Sequence, residues 1–367
     1  MYRIFITDVN ENVKTIRPFQ IVCLFLCRLA GFVLSLHSIK YGIVMRKTTK
    51  IIAFALVVTM FFACGKDEKP VEFDNMPIEE QVALLDAKIR KQPNDADLYY
   101  RRAEVLLRAE NSQEALADIQ KAISLNSKVA EYYVLQADIL FVQGENTLAF
   151  SALQTAIEKD GKCKEAYLKS AELSLYLKDY DKVLFNTNQV MLLDKNEPMA
   201  YFLRGWAMKE QGDTLKAVTD YRKAVELKGD YEEAFEELGN LYAIKGDGLA
   251  VEYLKSVINI NPKNVNAMYT LALFYQEHDA QQQALDTYKQ ILDIKPNHAD
   301  ALHNVGYINY EYKQEYDLAI ECFTSAIKAD STFWQAYANR ARAYEKKGES
   351  VKAAEDFKKS EELKAGL

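Results

Sequence analysis

Glycine and proline are scarce, at 14 and 7 of 367 residues. So few breakers exclude the many short strands and tight turns of a β-sandwich or barrel. Histidine is scarcer still. His37, His278, His298 and His303 share no HExxH-like spacing, and no metal site is expected. The five cysteines, Cys23, Cys27, Cys64, Cys163 and Cys322, include no pair with zinc-finger spacing. There is no phosphate-binding glycine loop, no GxSxG and no Cys–His pair with a common site, so neither enzymatic activity nor a cofactor is expected. Positive charge is short in the body of the chain. Residues 1–64 hold eight of the 46 Lys and Arg but two of the 53 Asp and Glu, which leaves 38 basic and 51 acidic residues beyond them, a net of −13. Such a body repels phosphate backbones, so nucleic acid is not an expected partner, whereas a basic protein surface would be steered towards it.

What is present is a repeat. Small residues recur at Ala103, Ala137, Ala171, Gly205, Gly239, Ala272, Gly306 and Ala341, in steps of 34, 34, 34, 34, 33, 34 and 35. A second ladder runs Ala115, Ala149, Val183, Ala217, Ala250, Ala284, Ala319 and Ala353. Two registers that keep step over eight copies define a repeat architecture. Small residues at both places let two helix axes approach closely, and a single pair cannot bury its apolar face, so each copy needs its neighbours.

Each unit resembles the tetratricopeptide repeat, a 34-residue helix–turn–helix. The fourth copy carries Tyr201-Phe-Leu-Arg-Gly205-Trp-Ala, then Gln211-Gly212-Asp213, then Lys216-Ala217-Val218, Tyr221 and Ala224. Tyr99, Tyr133, Tyr167, Tyr201 and Tyr337 match the large residue early in helix A; Pro262 and Pro296 match the proline that closes helix B. Gly144, Gly212, Gly246 and Gly348 match the turn between the helices, where a positive φ ends helix A. The resemblance implies an all-α, right-handed α-α superhelix of eight repeats over residues 96–367. A lone helix in 78–95, apolar at Val82, Leu85 and Ile89, caps its front. Cys163 and Cys322, many helix widths apart in such a stack, are expected to be free thiols. Copy three, with Val183, Thr187 and Lys178 at signature places, is the expected soft joint. Copy five loses a residue near Gly246-Asp247-Gly248, and copy seven gains one near Lys313–Tyr316.

In the family the A helices line a groove, and their second, fifth, ninth and twelfth positions face it. The resemblance therefore nominates Tyr100, Glu104, Asp138, Phe141, Glu172, Phe202, Trp206, Asn240, Tyr269 and Tyr307 as partner-binding residues, with Leu168, Leu273 and His303 beside them. Phe202 and Trp206 are four apart and so share one helix face. Aromatics with acids beside them suit a peptide carrying apolar and basic side chains. The lysines and asparagines of the family's carboxylate clamp for chaperone tails are not in place.

The front of the chain carries an address. Met45-Arg46-Lys47-Thr-Thr-Lys50 is a positive head, and the thirteen-residue run Ile51–Ala63 is too short to span a bilayer, which needs ~20 residues. Ala63-Cys64 resembles a lipobox, in which Cys64 becomes the lipidated first residue, and Lys66-Asp67-Glu68 resembles the export signal of surface lipoproteins. Residues 45–63 then form a lipoprotein signal peptide, 64–77 a lipidated tether, and 1–44 an over-extended start or an extra N-terminal segment. The expected protein is a lipid-anchored scaffold of the bacterial outer membrane that holds a partner peptide or helix in its groove. The alternative is a surface nutrient-uptake lipoprotein that binds glycans through groove aromatics. Cys64→Ser is expected to release the protein from the membrane fraction; retention of the variant there would contradict the anchor.

Overall fold

The computed structural model describes residues 73–366. Contacts divide the chain into two units. In the first, Met1–Asn75, the described part is a single 3-10 turn, Phe73–Asn75. Cys64, the signal segment 45–63 and residues 1–44 lie outside the described residues. All that follows concerns the second unit, Met76–Leu367. Its described residues form seventeen α-helices and no strand, and no helix among them is long and apolar enough to cross a membrane.

The first helix, α1 (Ile78–Lys91), stands alone and packs on α2. Its buried stripe is Gln81, Leu85 and Ile89, with Val82 only half-buried. A glutamine can take that place because its amide donates to the Met76 carbonyl (2.8 Å) and accepts from Arg108 (2.9 Å).

Eight helix pairs follow, each an A helix and a B helix. The pairs are α2 (Ala96–Arg108) with α3 (Ser112–Leu125), α4 (Ala130–Val142) with α5 (Asn146–Lys159), and α6 (Lys164–Tyr176) with α7 (Tyr180–Leu193). Then come α8 (Pro198–Glu210) with α9 (Thr214–Leu227), and α10 (Glu232–Ile244) with α11 (Leu249–Ile260). The last are α12 (Val265–Glu277) with α13 (Gln281–Ile294), α14 (Ala299–Ile308) with α15 (Tyr316–Ala329), and α16 (Trp334–Lys346) with α17 (Ser350–Ala365). Consecutive A helices touch at several joints, while no comparable contact joins consecutive B helices. The A helices therefore form the inner face and the B helices splay outward.

The small-residue ladder marks where A crosses B. Ala103, Ala137 and Ala272 share core clusters with the residues sixteen on, Ile119, Leu153 and Tyr288, and Gly205 faces Tyr221 in the same register. Three copies use glycine there, and at these no β-carbon fits. A β-carbon on Gly205 would lie 2.9 Å from the Tyr221 ring, and one on Gly306 2.8 Å from the Phe323 ring. In the third repeat Thr187 is fully buried in place of a large side chain, its hydroxyl donating to the Val183 carbonyl at 2.8 Å.

Every A helix ends on one left-handed residue. Glycine serves at Gly144, Gly212, Gly246 and Gly348, but Glu110, Lys178, Asp279 and Gln314 adopt the same conformation at φ between 56° and 59°. An amide then closes the turn, as Asp179 N–H does on the Ser174 carbonyl (2.8 Å). The extra residue of copy seven becomes a single π turn over Asn309–Lys313, so that Glu315 N–H reaches back six residues to Asn309. The residue missing from copy five shortens α11 to 12 residues.

An arginine staple crosses three joints on the outer face. Arg204 of α8 grips Asp220 of its own B helix with two hydrogen bonds (2.8 and 2.7 Å) and donates to Asn188 of the preceding B helix (3.2 Å). Arg340 does the same with Asp356 and Thr324, and Arg102 with Asp118 and Asp86. Each guanidinium also lies 5.6–5.7 Å from the tyrosine three residues earlier, Tyr201, Tyr337 and Tyr99.

Replacing Gly205 with Ala is expected to cost ~1–3 kcal/mol in denaturant melts, because the Tyr221 ring must move. Combined with Tyr221→Leu, which copies the Ala137–Leu153 contact, the loss should be smaller than the sum of the two single changes. Strict additivity would contradict the contact.

Candidate functional site

The ten nominated groove residues fall into separate groups. Tyr100 stacks on Tyr132 of the next repeat (5.2 Å), and burial, with the Glu104 carboxylate one turn on, pushes its phenol pKa up. Tyr269 accepts a hydrogen bond from Asn304, which also donates to Tyr288, and thus ties α12 to α14. Tyr307 lines a polar pocket of about 440 Å³ between α14 and α16, with His303, Asn304, Asn339 and Arg342. Asn240 is half-buried on α10 and joins none of these.

Asp138, Phe141 and Glu172 converge. Lys169 of α6 lies 3.3 Å from the Asp138 carboxylate and 3.5 Å from that of Glu172, beside a cavity of about 70 Å³ that Phe141 also walls. Burial raises the pKa of both acids, against the pull of Lys169. Burial also works against the Lys169 ammonium, yet the two carboxylates hold its pKa above the usual lysine value.

Glu172, Phe202 and Trp206 meet in the main pocket of the inner face, an open volume of about 540 Å³ spanning the third to fifth repeats. Glu172, Leu175 and Tyr176 come from the end of α6, Lys178 and Tyr180 from the turn and start of α7, and Met199, Phe202, Leu203 and Trp206 from α8. The aromatic pair expected on one face divides its work. Phe202 is buried, 5.7 Å from the Tyr221 ring and 5.1 Å from that of Tyr231, and so forms floor rather than free surface. Trp206 stands edge-on to it at 5.7 Å and is 37% exposed, with Lys209 over its ring. Glu172, Glu210 and Glu233 line the pocket with Lys178, while Lys209 lies over Trp206 and Lys169 pairs Glu172 from beside it. The floor binds bulky apolar groups, and the carboxylates favour a cation beside them.

Tyr231 and Tyr176 are among the pocket residues that lay outside the four-position reading. Tyr231 occupies the residue just before α10, where other repeats carry capping residues such as Asp95, Glu197 and Asn264. A buried aromatic in a capping position was the available signal. Tyr176, at the end of α6, is 67% exposed and packs edge-on against Phe141.

Among the described residues no cluster of three or more His, Cys, Asp or Glu is placed to hold a metal ion. Cys163 and Cys322 are free thiols, and burial pushes the pKa of Cys322 up to about 11.

The half-buried acids carry a stability cost. With its pKa raised by burial, Glu172 binds its proton more tightly in the folded chain than in the unfolded one, so stability falls as pH rises through the carboxylate range. Glu172→Gln, which leaves Asp138 to pair Lys169, is expected to raise Tm by about 2 °C at pH 7 and to have no effect below pH ~4. A lower Tm at pH 7 would show that Glu172 holds the fold.

Family models described as tetratricopeptide repeat match residues 82–130, 100–162 and 308–366, and a second such model matches 200–231. The BBSome complex member BBS4 of Bos taurus is 28% identical over 153 residues, 41% of this chain and 29% of that protein. The chain's matches span about a third or less of the first curated relatives. Among solved structures, pilF of Pseudomonas aeruginosa superposes with a TM-score of 0.50 at 15% identity, covering 55% of this chain and 92% of that one. The human IFIT1 dimer with m7Gppp-AAAA does so with a TM-score of 0.50 at 14% identity, covering 78% and 68%. At such identities these two likenesses concern the fold alone. The periodic contacts and left-handed turns agree with these matches: the described body folds as a solenoid of the tetratricopeptide-repeat kind.

Proposed function

We propose that this protein is a non-enzymatic scaffold of the bacterial cell envelope. It is held to the outer membrane by lipid on Cys64 and captures a partner segment in the pocket between its third and fifth repeats. The observation that carries the reading is the pocket itself: an apolar floor of Phe202, Leu203, Met199 and Tyr231, the exposed Trp206, and three carboxylates around them. A segment with one bulky apolar side chain between lysines or arginines satisfies both parts. The anionic body, with 51 acidic against 38 basic residues after residue 64, speeds its encounter. The anchor rests on the sequence pattern at 45–64. No observation favours glycan capture over a peptide, and it is not proposed.

The chain has two tryptophans, Trp206 and Trp334, so Trp334→Phe leaves Trp206 as a clean fluorescent reporter. Peptides with a central Leu, Phe or Trp flanked by Lys or Arg are expected to quench or shift it, and acidic analogues are not. Trp206→Ala, measured by calorimetry, should weaken binding by about 2 kcal/mol, the loss of a central anchor. Equal affinity of the variant, or of the acidic peptides, would contradict the reading.

A further inference from the structure

The outer face of the third repeat lacks its staple. The places held by Asn188, Arg204 and Asp220 at one joint, and by Thr324, Arg340 and Asp356 at another, are held here by Gln154, Ser170 and Asn186. The tyrosine that lies under each guanidinium is kept, as Tyr167. Serine is far too short to fill the space an arginine fills. What remains is an open slot of about 640 Å³ between α5 and α7, with Tyr167 and Ser170 of α6 in its lining and Phe150 and Phe185 among its walls.

The slot carries unused hydrogen-bonding capacity. Asn186 is 7% and Ser170 5% exposed, and both line the slot, where no side-chain hydrogen bond among the described residues engages the Asn186 amide or the Ser170 hydroxyl and their polar atoms open onto solvent. Water serves such groups in the open slot, and a partner that replaces it must supply hydrogen bonds of its own. Phe185, 60% exposed at the slot, is likewise left without cover by this chain.

Other repeats show what such a slot takes. Three hold a flat guanidinium. The fifth repeat holds a phenol: Tyr253, at the place of Asp220, lies parallel to Tyr242 at 5.4 Å and beside Phe235, which occupies the tyrosine place. In the fifth repeat the Tyr253 ring stacks on Tyr242 and only tilts against Phe235 at 6.2 Å, so what the repeats share is a planar group packed among aromatic rings at this place. Charge then chooses between the two. In the third repeat the cation and its counter-carboxylate have gone together, and no acid lines the slot. Its one charged side chain is Lys182, whose ammonium is paired with Asp179 at 2.7 Å and lies over the Phe150 ring at 5.4 Å. A guanidinium would lose its water beside a lysine with no carboxylate to receive it.

We infer that this slot is a second docking site, on the face opposite the groove, for a tyrosine or tryptophan side chain presented by a protein partner. The ring stacks over Tyr167 against Phe185, and its hydroxyl or indole N–H satisfies Asn186 and Gln154. The site stands independently of the groove pocket, with which it shares no residue.

The test is saturation-transfer NMR on the full chain with N-acetyltyrosinamide and N-acetylargininamide as probes. Wild type should transfer saturation to the tyrosinamide ring protons and not to the argininamide. Ser170→Arg with Asn186→Asp rebuilds the staple found at three other joints, and should keep or raise Tm while abolishing the tyrosinamide signal. Ser170→Gln, the residue type that Gln136 supplies at the same place in the second repeat, should also reduce that signal and guards against a folding defect in the double variant. Trp206→Ala should leave the signal unchanged, which separates this site from the groove. A tyrosinamide signal that survives both slot-filling changes, its absence from wild type, or an argininamide signal of equal strength would overturn the inference.

Discussion

The whole stack depends on one close approach. In each repeat a small residue on helix A lets helix B cross near enough for a large side chain to cover it, and that contact recurs with the period of the chain. Its geometry is tight where the small residue is glycine: a β-carbon on Gly205, Gly239 or Gly306 would come within 2.7–2.9 Å of Tyr221, Leu254 or Phe323. The left-handed turn residue is the second half of the same constraint, since it aims helix B back along helix A at the required angle. Four turns achieve this without glycine, and their strain is borne by the packing that follows.

Binding surfaces arise where the repeated solution is relaxed. The third repeat has threonine where others place a large residue, serine and asparagine where others place an arginine–aspartate staple, and lysine in the left-handed turn. The inner pocket and the outer slot lie on its two sides, and the half-desolvated Asp138–Lys169–Glu172 cluster borders the first. An under-filled repeat loses stability but leaves apolar and polar surface uncovered. A solenoid tolerates this because each repeat leans on its neighbours rather than on a common core.

Much of this was legible in the sequence, because the decisive contacts repeat. The period and the two ladders follow from spacing, and the lone first helix and the glycine turns from the resemblance to the tetratricopeptide repeat. The insertion in copy seven was visible as a count, but its resolution into a π turn depends on how Asn309 and Glu315 pair. Phe202 and Trp206 were correctly placed on one helix face. That one is floor and the other wall depends on Tyr221 and Tyr231, which belong to other helices. Tyr231 escaped notice because it sits in a capping place rather than in a groove position. The slot was the least legible feature. It is defined by an arginine that is missing, and that absence has meaning only once the three staples have been seen in space.

Native-state hydrogen exchange along the full chain, with and without a peptide bearing one aromatic residue between lysines, tests the central claim most directly. The account predicts fastest exchange within the stack for amides of α6 and α7, slower exchange in the stapled fourth repeat, and protection on adding peptide that is confined to α6, α8 and the start of α10. Uniform exchange along the stack, or protection spread evenly over all repeats, would contradict it.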